Sequence, residues 1–538
     1  MMLPQRQNTT AVPITAPIKG IVATGIYGDT EALETESAIW LYNLIPGEYG
    51  VRVRRGSREY ATNIPDKDNV LGAVRSMMYY NSVVAGGSQD FFFAVTSKGI
   101  YDITAGGAGP HTEALLWPVQ SDNAGWCSYV NYTNVAGDHY LLVCDEANGY
   151  WIFNGTDWTE GNFTGNPKPL ATDLVQITEW QGRIWFVERN TARAWFLDPL
   201  ALTGDITPFD VGSRFKKGGH LVQNTTWTLD DGAGMDDRFV MLSSSGDVLV
   251  WVGTDPTTAA DMTLQGRWVV GAVPEGRRAM SDWGGDVTIL SSLGVTLISS
   301  LLSSDTTLVG DAFLTYNITR YIRAEMDKTI DEFGWSIELV PTEGVAVITV
   351  PKPPFTSREP IQFVVNTITD AWCMFRGLDM VCQEKNNTGY YFGTHDGRAM
   401  KYEGAVDNAN LAGDSSLPIN FSMLTHYTNL GSAGTWKRPQ FIRPSWVAAA
   451  EPVYNVQIRY DHDISELGIS PPFTTHDIAL WDQAIWDRDV WAGTAQGYLE
   501  TVGVDGMGRY LAVAIRGEAT VETSYIGADL MLDSGGLL

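Results

Sequence analysis

The sequence predicts a mainly β chain: an irregular β-propeller of about six to eight blades, with an N-terminal arm and a C-terminal β domain. Three observations lead there. Between Leu71 and Glu403 the chain repeats a short apolar strand, a small polar turn and a second apolar strand. The repeats open at Phe91, Tyr140, Ile184, Phe239, Val287, Val345 and Tyr390, spaced by 49, 44, 55, 48, 58 and 45 residues, the length of a four-stranded blade. The turns between the paired strands recur in type: Ser97-Lys98-Gly99, Ala147-Asn148-Gly149, Ser245-Gly246-Asp247, Ser292-Leu293-Gly294 and His395-Asp396-Gly397. Tight hairpins want Gly or Asn because they need positive φ. The composition agrees, with 55 Gly, 19 Trp and 22 Tyr favouring many short strands joined by tight turns.

Taken in order, residues 1–70 read as an extended arm followed by the first strands. Pro13 and Pro17 forbid a regular helix in the arm, which either frays or docks on a neighbouring subunit. After the Ile45-Pro46-Gly47 turn, Val51 and Val53 alternate with Arg52 and Arg54, as on a strand with one polar face. With Arg55 and Arg58 these form the densest basic cluster of the chain. Such a cluster is a solvated face paired with acids, or a contact for DNA or an acidic subunit.

Residues 71–407 are the predicted propeller. In GRIWFVERNTARAWFLDP two aromatic strands flank RNTA, and one such hairpin cannot stand alone in water. It reads as the inner half of a blade, with Trp185 and Trp195 as wedges between sheets. The segment Phe209 to Leu221, carrying Lys216 and Lys217, is a candidate loop towards a neighbour. Thr319 to Asp331 is the best amphipathic helix, with Tyr321, Ile322 and Met326 on one side. Residues 408–538 read as a sandwich or sheet domain with one wet face. A loop containing Trp481, Trp486 and Trp491 interrupts it.

The net charge of -27 argues against a nucleic-acid wrapper, because phosphate binding needs clustered Lys and Arg. The hydrophobic share of 44% allows a large core. Cys127, Cys144, Cys373 and Cys382 show no metal-type spacing and read as buried free thiols. The N-terminus lacks the pattern of a signal peptide, and no apolar run approaches the ~20 residues of a membrane span, so the chain is expected to be made in a cytoplasm. No nucleophile elbow, zinc-protease helix or phosphate loop occurs. Asp461-His462-Asp463 and Asp505-Gly506 are the best acidic clusters, yet a Ca²⁺ site needs further converging oxygens. Asn154-Gly155-Thr156-Asp157-Trp158 is a single approach to a glycosidase-type aspartate repeat. The sequence therefore predicts no enzyme, no catalytic residue, no cofactor and no metal.

GRIWFVERNTARAWFLDP, GDITPFDVGSRFKKGGHL, WTLDDGAGMDDRFVMLSSSGDVLVWVGTDP, RWVVGAVPEGRRAM and GGDVTILSSLGVTLIS, with NLIPGEYGVRVRRGSREYAT before them, resemble in order a family of tail proteins of tailed bacteriophages and prophages. The resemblance covers most of residues 40–400 and is similar in role to the β-propeller hub or nozzle proteins of short-tailed phages. It implies a virion structural subunit in a sixfold ring beneath portal-proximal and adaptor proteins and near tail fibres. Such a ring passes double-stranded DNA without sequence-specific binding and helps retain the packaged genome. A tail-tip receptor-binding propeller and a polysaccharide-degrading propeller glycosidase are the alternatives.

Overall fold

The computed structural model describes residues 9–23, 36–84, 87–88, 90–230, 235–258, 261–303, 313–352, 359–432, 434–467 and 495–534. Trp481, Trp486 and Trp491 lie outside the described residues.

Among the described residues the chain folds as a β-propeller of seven units: four sheets of four strands, one of five, one of three, and four strands at one end of an eight-stranded sheet. The innermost strands are Ser76–Tyr80, Cys127–Thr133, Leu174–Trp180, Leu221–Asp230, Met280–Trp283, Ser336–Val340 and Cys382–Asn386. They begin blades 1 to 7. Each inner strand touches the next, and the seventh touches the first, so the ring closes.

The aromatic runs follow from this arrangement. Strand side chains alternate between faces, and each blade buries both faces against its neighbours. In blade 1, Phe92 packs with blade 7 and Phe93 with blade 2. In blade 3, Trp185 and Phe196 pair across strands on the face towards Phe239 and Trp251 of blade 4. Phe186 and Trp195 face Leu142 and Tyr150 of blade 2. Trp185 and Trp195 are thus wedges on opposite faces. Their strands, Arg183–Glu188 and Arg193–Leu197, are the middle pair of the blade rather than its inner half.

The hairpin tips named in the sequence all join second and third strands, and each packs on the ring's own connections. At Gly246, φ is +84°, and a Cβ would collide with the carbonyl oxygen of Gly271, on the way into blade 5. The segment with Lys216 and Lys217 stays within the ring as well. Both backbone N–H groups donate to the buried Asp247 carboxylate, at 2.9 and 2.8 Å.

The predicted helix forms over Thr319–Thr329, burying Ile322 and Met326. All four cysteines are free and buried.

The described strands between residues 9 and 70 pair with later parts of the chain. Thr9–Thr15 pairs antiparallel with Thr523–Ser534 of the same chain, so the arm docks in cis on the C-terminal domain. Leu44–Pro46 and Val51–Val53 join that same sheet, and Ser57–Ala61 is the fourth strand of blade 7, paired with Ala399–Tyr402. Periodicity misses this closure because its two strands lie at opposite ends of the repeat. Ala38–Tyr42 continues blade 6 into the C-terminal strands Ile419–Thr425, Leu511–Ala519 and Val453–Tyr460, giving one eight-stranded sheet. A second sheet, centred on Lys437–Ala448 and Thr523–Ser534, covers those strands. Phe421, Trp446, Tyr454 and Tyr525 stack in the core between them, with ring centroids 5.0 to 5.7 Å apart.

The basic cluster is spent internally. Arg54 is fully buried and grips Asp407 with two bonds of 2.7 and 2.6 Å, while its Nε donates to Asn43 Oδ1 at 2.9 Å. Arg52 and Arg55 reach Glu343 at 3.8 and 3.0 Å, and Arg58 donates to the Leu411 carbonyl.

Replacing Trp195 with Ala should cost roughly 3–5 kcal/mol, read as a lower denaturant midpoint; an unchanged midpoint would contradict the wedge. Asp407→Ala strands a buried guanidinium and should cost roughly 3–5 kcal/mol, whereas the pair Arg54→Met with Asp407→Leu should recover part of that loss in the same denaturation assay.

Candidate functional site in the propeller channel

The inner strands expose their edges to the ring axis, where they enclose a cavity of about 200 Å³. The connection from blade 4 to blade 5 carries Arg277 and Arg278 across one mouth of it. Arg277 is buried and forms a two-point ion pair with Glu146, on the hairpin of blade 2, at 3.0 and 3.1 Å. Its Nη1 also donates to the Leu221 and Val222 carbonyls of blade 4, at 3.5 and 3.4 Å. The pair therefore ties blades that are not neighbours in the ring. Arg189 adds a second cation at 3.7 Å from Glu146. The nearby His220 is held below its ordinary pKa, first by burial and then by the Arg277 charge.

Arg278 turns to the other side. It donates to the Arg75 carbonyl (3.2 Å), Ser76 Oγ (2.5 Å) and the Cys127 carbonyl (3.1 Å), and it stacks over Trp126. Trp126 in turn stacks on Phe333, at 5.6 Å between centroids. Arg277, Arg278 and Trp126 thus converge at this mouth of the channel.

The rest of the wall carries Tyr129, Ser281, Glu338, Gln383 and Glu384. Lys385 Nζ lies 2.6 Å from Glu338. Gln383 donates to Ser336 Oγ at 3.0 Å and to the Val347 carbonyl at 3.2 Å, and accepts from the Tyr390 hydroxyl. Burial pushes the Glu384 carboxyl up to about 8, with the Glu338 charge adding to it and the Tyr129 hydroxyl offsetting part. Protein surrounds Glu384, while part of its surface still opens to channel water. Glu338 is also raised by burial, and the Lys385 ammonium pulls it back. The two acids are thus separated in role: one favours its neutral form at neutral pH, and the other is held by a cation. Such a pair in a cavity can hydrogen-bond hydroxyls, or give and take a proton.

Sequence reasoning missed both acids. Glu338 in SIELV interrupts an apolar strand, which was an available signal, whereas Glu384 in CQEKN stands between Gln383 and the exposed Lys385 and carried none. The acidic clusters that did stand out are turn devices. Asp461 Oδ1 accepts from the Arg509 and Tyr510 N–H groups. Asp463 accepts from Ser465 N–H, which lowers its pKa. Asn154 Oδ1 caps the turn at Thr156 and Asp157. Asp505 Oδ1 accepts from Gly506 N–H. Among the described residues no three His, Cys, Asp or Glu side chains converge as metal ligands. Among the same residues no helix is long and apolar enough to cross a membrane.

No protein-family model and no curated protein matches the chain. Solved structures do. "Crystal structure of BBS1N in complex with ARL6DN, soaked with mercury" matches at 12% identity and TM-score 0.26, over 40% of this chain and 61% of that chain, less than two thirds of its length. The lead-soaked counterpart matches at 11% identity and TM-score 0.29, over 45% and 72%. Similarity at this level says nothing of function, and the propeller rests on its own strand pairing.

The Glu384 shift has a definite sign. A carboxyl raised in the fold binds an extra proton there, so its stability contribution is full below the ordinary carboxylate pKa and is lost as pH rises through the folded value. Thermal melting of the wild type should therefore weaken as pH climbs through about 8, and Glu384→Gln should flatten that decline. Parallel pH profiles for the two proteins would show that channel water lets Glu384 ionise freely.

Proposed function

We propose that this chain is a structural, non-catalytic subunit of a bacteriophage tail. In this reading it is one copy of a sixfold nozzle or hub ring in the virion, beneath adaptor and portal-proximal proteins and near the tail fibres. The ring forms part of the DNA-ejection conduit and helps retain the packaged genome. The observation that carries the reading is the eight-stranded sheet running from blade 6 through Ala38–Tyr42 into the C-terminal domain. It joins propeller and C-terminal domain by backbone hydrogen bonds rather than by a linker, which suits a part that transmits load between neighbours. The resemblance of residues 40–400 to tail proteins and the charge of -27 support it further, since like charge keeps a passing duplex from adhering. The duplex would run between copies, because the space on the axis of each propeller is only about 200 Å³ and Arg277 and Arg278 cross one mouth of it.

A second reading, a propeller that binds or cleaves a polysaccharide, is favoured by the Glu338 and Glu384 pair in the channel. Binding or release of sugar that is lost in both Glu338→Gln and Glu384→Gln would support it over the structural role.

Electron microscopy of tailed particles, with an antibody or tag on this chain, tests the main proposal. Sixfold density below the portal is expected, and a position away from the tail would overturn it. In solution the purified chain should leave duplex DNA unshifted on a gel at physiological salt; retention there would count against a conduit wall.

A further inference from the structure

The second sheet of the C-terminal domain has one face in the core and one that no element of the described chain covers. Its inner face carries Trp446, Ile442, Tyr525 and Leu530, all buried. Its outer face carries Phe441 (46% exposed), Val447 (38%), Leu499 (65%) and Ile526 (41%). The register places them on one face: Leu499 lies opposite Ser445, Val447 opposite Ser524, and Phe441 opposite Met531. Phe441 and Val447 are six positions apart on one strand, with Arg443 and Ser445 between them on the same face, so the apolar side chains span roughly 20 Å in two groups, Phe441 at one end and Leu499 with Val447 at the other. Apolar patches of a few hundred Å² mark contact sites.

Two further features select the occupant. The first is charge. The chain has 36 basic and 63 acidic residues, yet this face presents Arg438 and the ion pair Arg443–Asp529, at 2.7 Å. Asp533 stands opposite Arg438 in register, so charge on this face is balanced and the acidic excess of the chain is locally absent. The second is the edge. Gln496–Leu499 and Val502–Gly503 end the sheet, with the strand Lys437–Ala448 on one side and no described strand on the other. Gly497 and Gly503 lie there without positive φ, and a Cβ at either would meet nothing within 4 Å. Neither backbone conformation nor packing inside the chain demands glycine at these positions. Glycine in a strand commonly marks the close approach of another backbone.

We infer that this face and its glycine edge are the surface through which one copy of the chain docks on a second copy. The apolar side chains supply the attraction, and the balanced charge between them keeps the two acidic copies from repelling each other there. The ring proposed above needs such a surface, and the inference rests on that reading for its place in the assembly.

Sedimentation of the full chain over a wide concentration range tests it. The wild type should self-associate, and Leu499→Asp or Phe441→Asp should weaken association by about tenfold or more, as expected for interface residues that supply the attraction. Val135→Asp, an exposed apolar site on the propeller, should leave association unchanged, and all three variants should melt like the wild type. A wild type that stays monomeric throughout overturns the inference, as does association that ignores Leu499→Asp. A monomeric wild type destabilised by Leu499→Asp would assign the face to an intramolecular cover instead. Failure here is distinct from failure of the tail assignment. A chain located in tails but indifferent to Leu499→Asp loses this interface alone. One that associates through Leu499 but is absent from tails loses the tail role alone.

Discussion

Arg54 and Asp407 meet at the seam of the ring, and the closure of the propeller depends on what they hold. Arg54 enters just before the strand Ser57–Ala61, and Asp407 leaves just after its partner Ala399–Tyr402. The two-point ion pair brackets the one blade that is built from both ends of the repeat. Asn43 extends the knot, donating to the Arg376 and Asn420 carbonyls and accepting from Arg54 Nε and Arg376 N–H. A buried ion pair is weak support for net stability, because desolvation offsets its attraction. Its value here is selection: a slipped strand would leave a guanidinium in the core with no carboxylate to meet it.

That seam also decides how the two halves of the molecule communicate. The knot lies where blade 6 ends, where Ala38–Tyr42 extends its sheet, and where the C-terminal strand Ile419–Thr425 begins. Ring closure and attachment of the C-terminal domain therefore share residues. On the axis, Arg277 and Arg278 join blades that do not touch directly. These constraints act on different parts of one ring, and together they oppose both opening of the seam and splaying of the blades.

The legible part of this fold was local. FFFAV, RIWFVE and RAWFL could be read as strands, and their lack of hydrophobic alternation follows from burial on both faces. The turns were legible because positive φ restricts residue choice. Closure was not, because Arg54 and Asp407 are 353 residues apart and nothing in either neighbourhood names the other. The arm illustrates the same limit: its proline content excluded a helix, but only the register with Thr523–Ser534 shows that it docks in cis. The channel acids were hidden for a different reason. Glu338 and Glu384 occupy ordinary strand positions, and their unusual environment is created by seven edges converging on one axis.

The distribution of charge follows from the same internal use of arginine. Arg52, Arg54 and Arg55 pair with acids of the chain, and Arg277 is consumed by Glu146. The buried pairs Arg54–Asp407 and Arg277–Glu146 each remove one cation and one acid from the solvent-facing tally, while Arg52 and Arg55 share Glu343 at the surface, so the excess of negative charge stays outside. A surface of that kind repels nucleic acid and equally repels copies of itself. Association of like chains then requires a region where the excess is locally absent and apolar contact can supply the attraction. The outer face around Phe441 and Leu499 meets both conditions, with the ion pair Arg443–Asp529 already balanced within it. The acidity that would keep DNA mobile thus narrows the surfaces available for assembly, and it does so without requiring any residue to serve both ends.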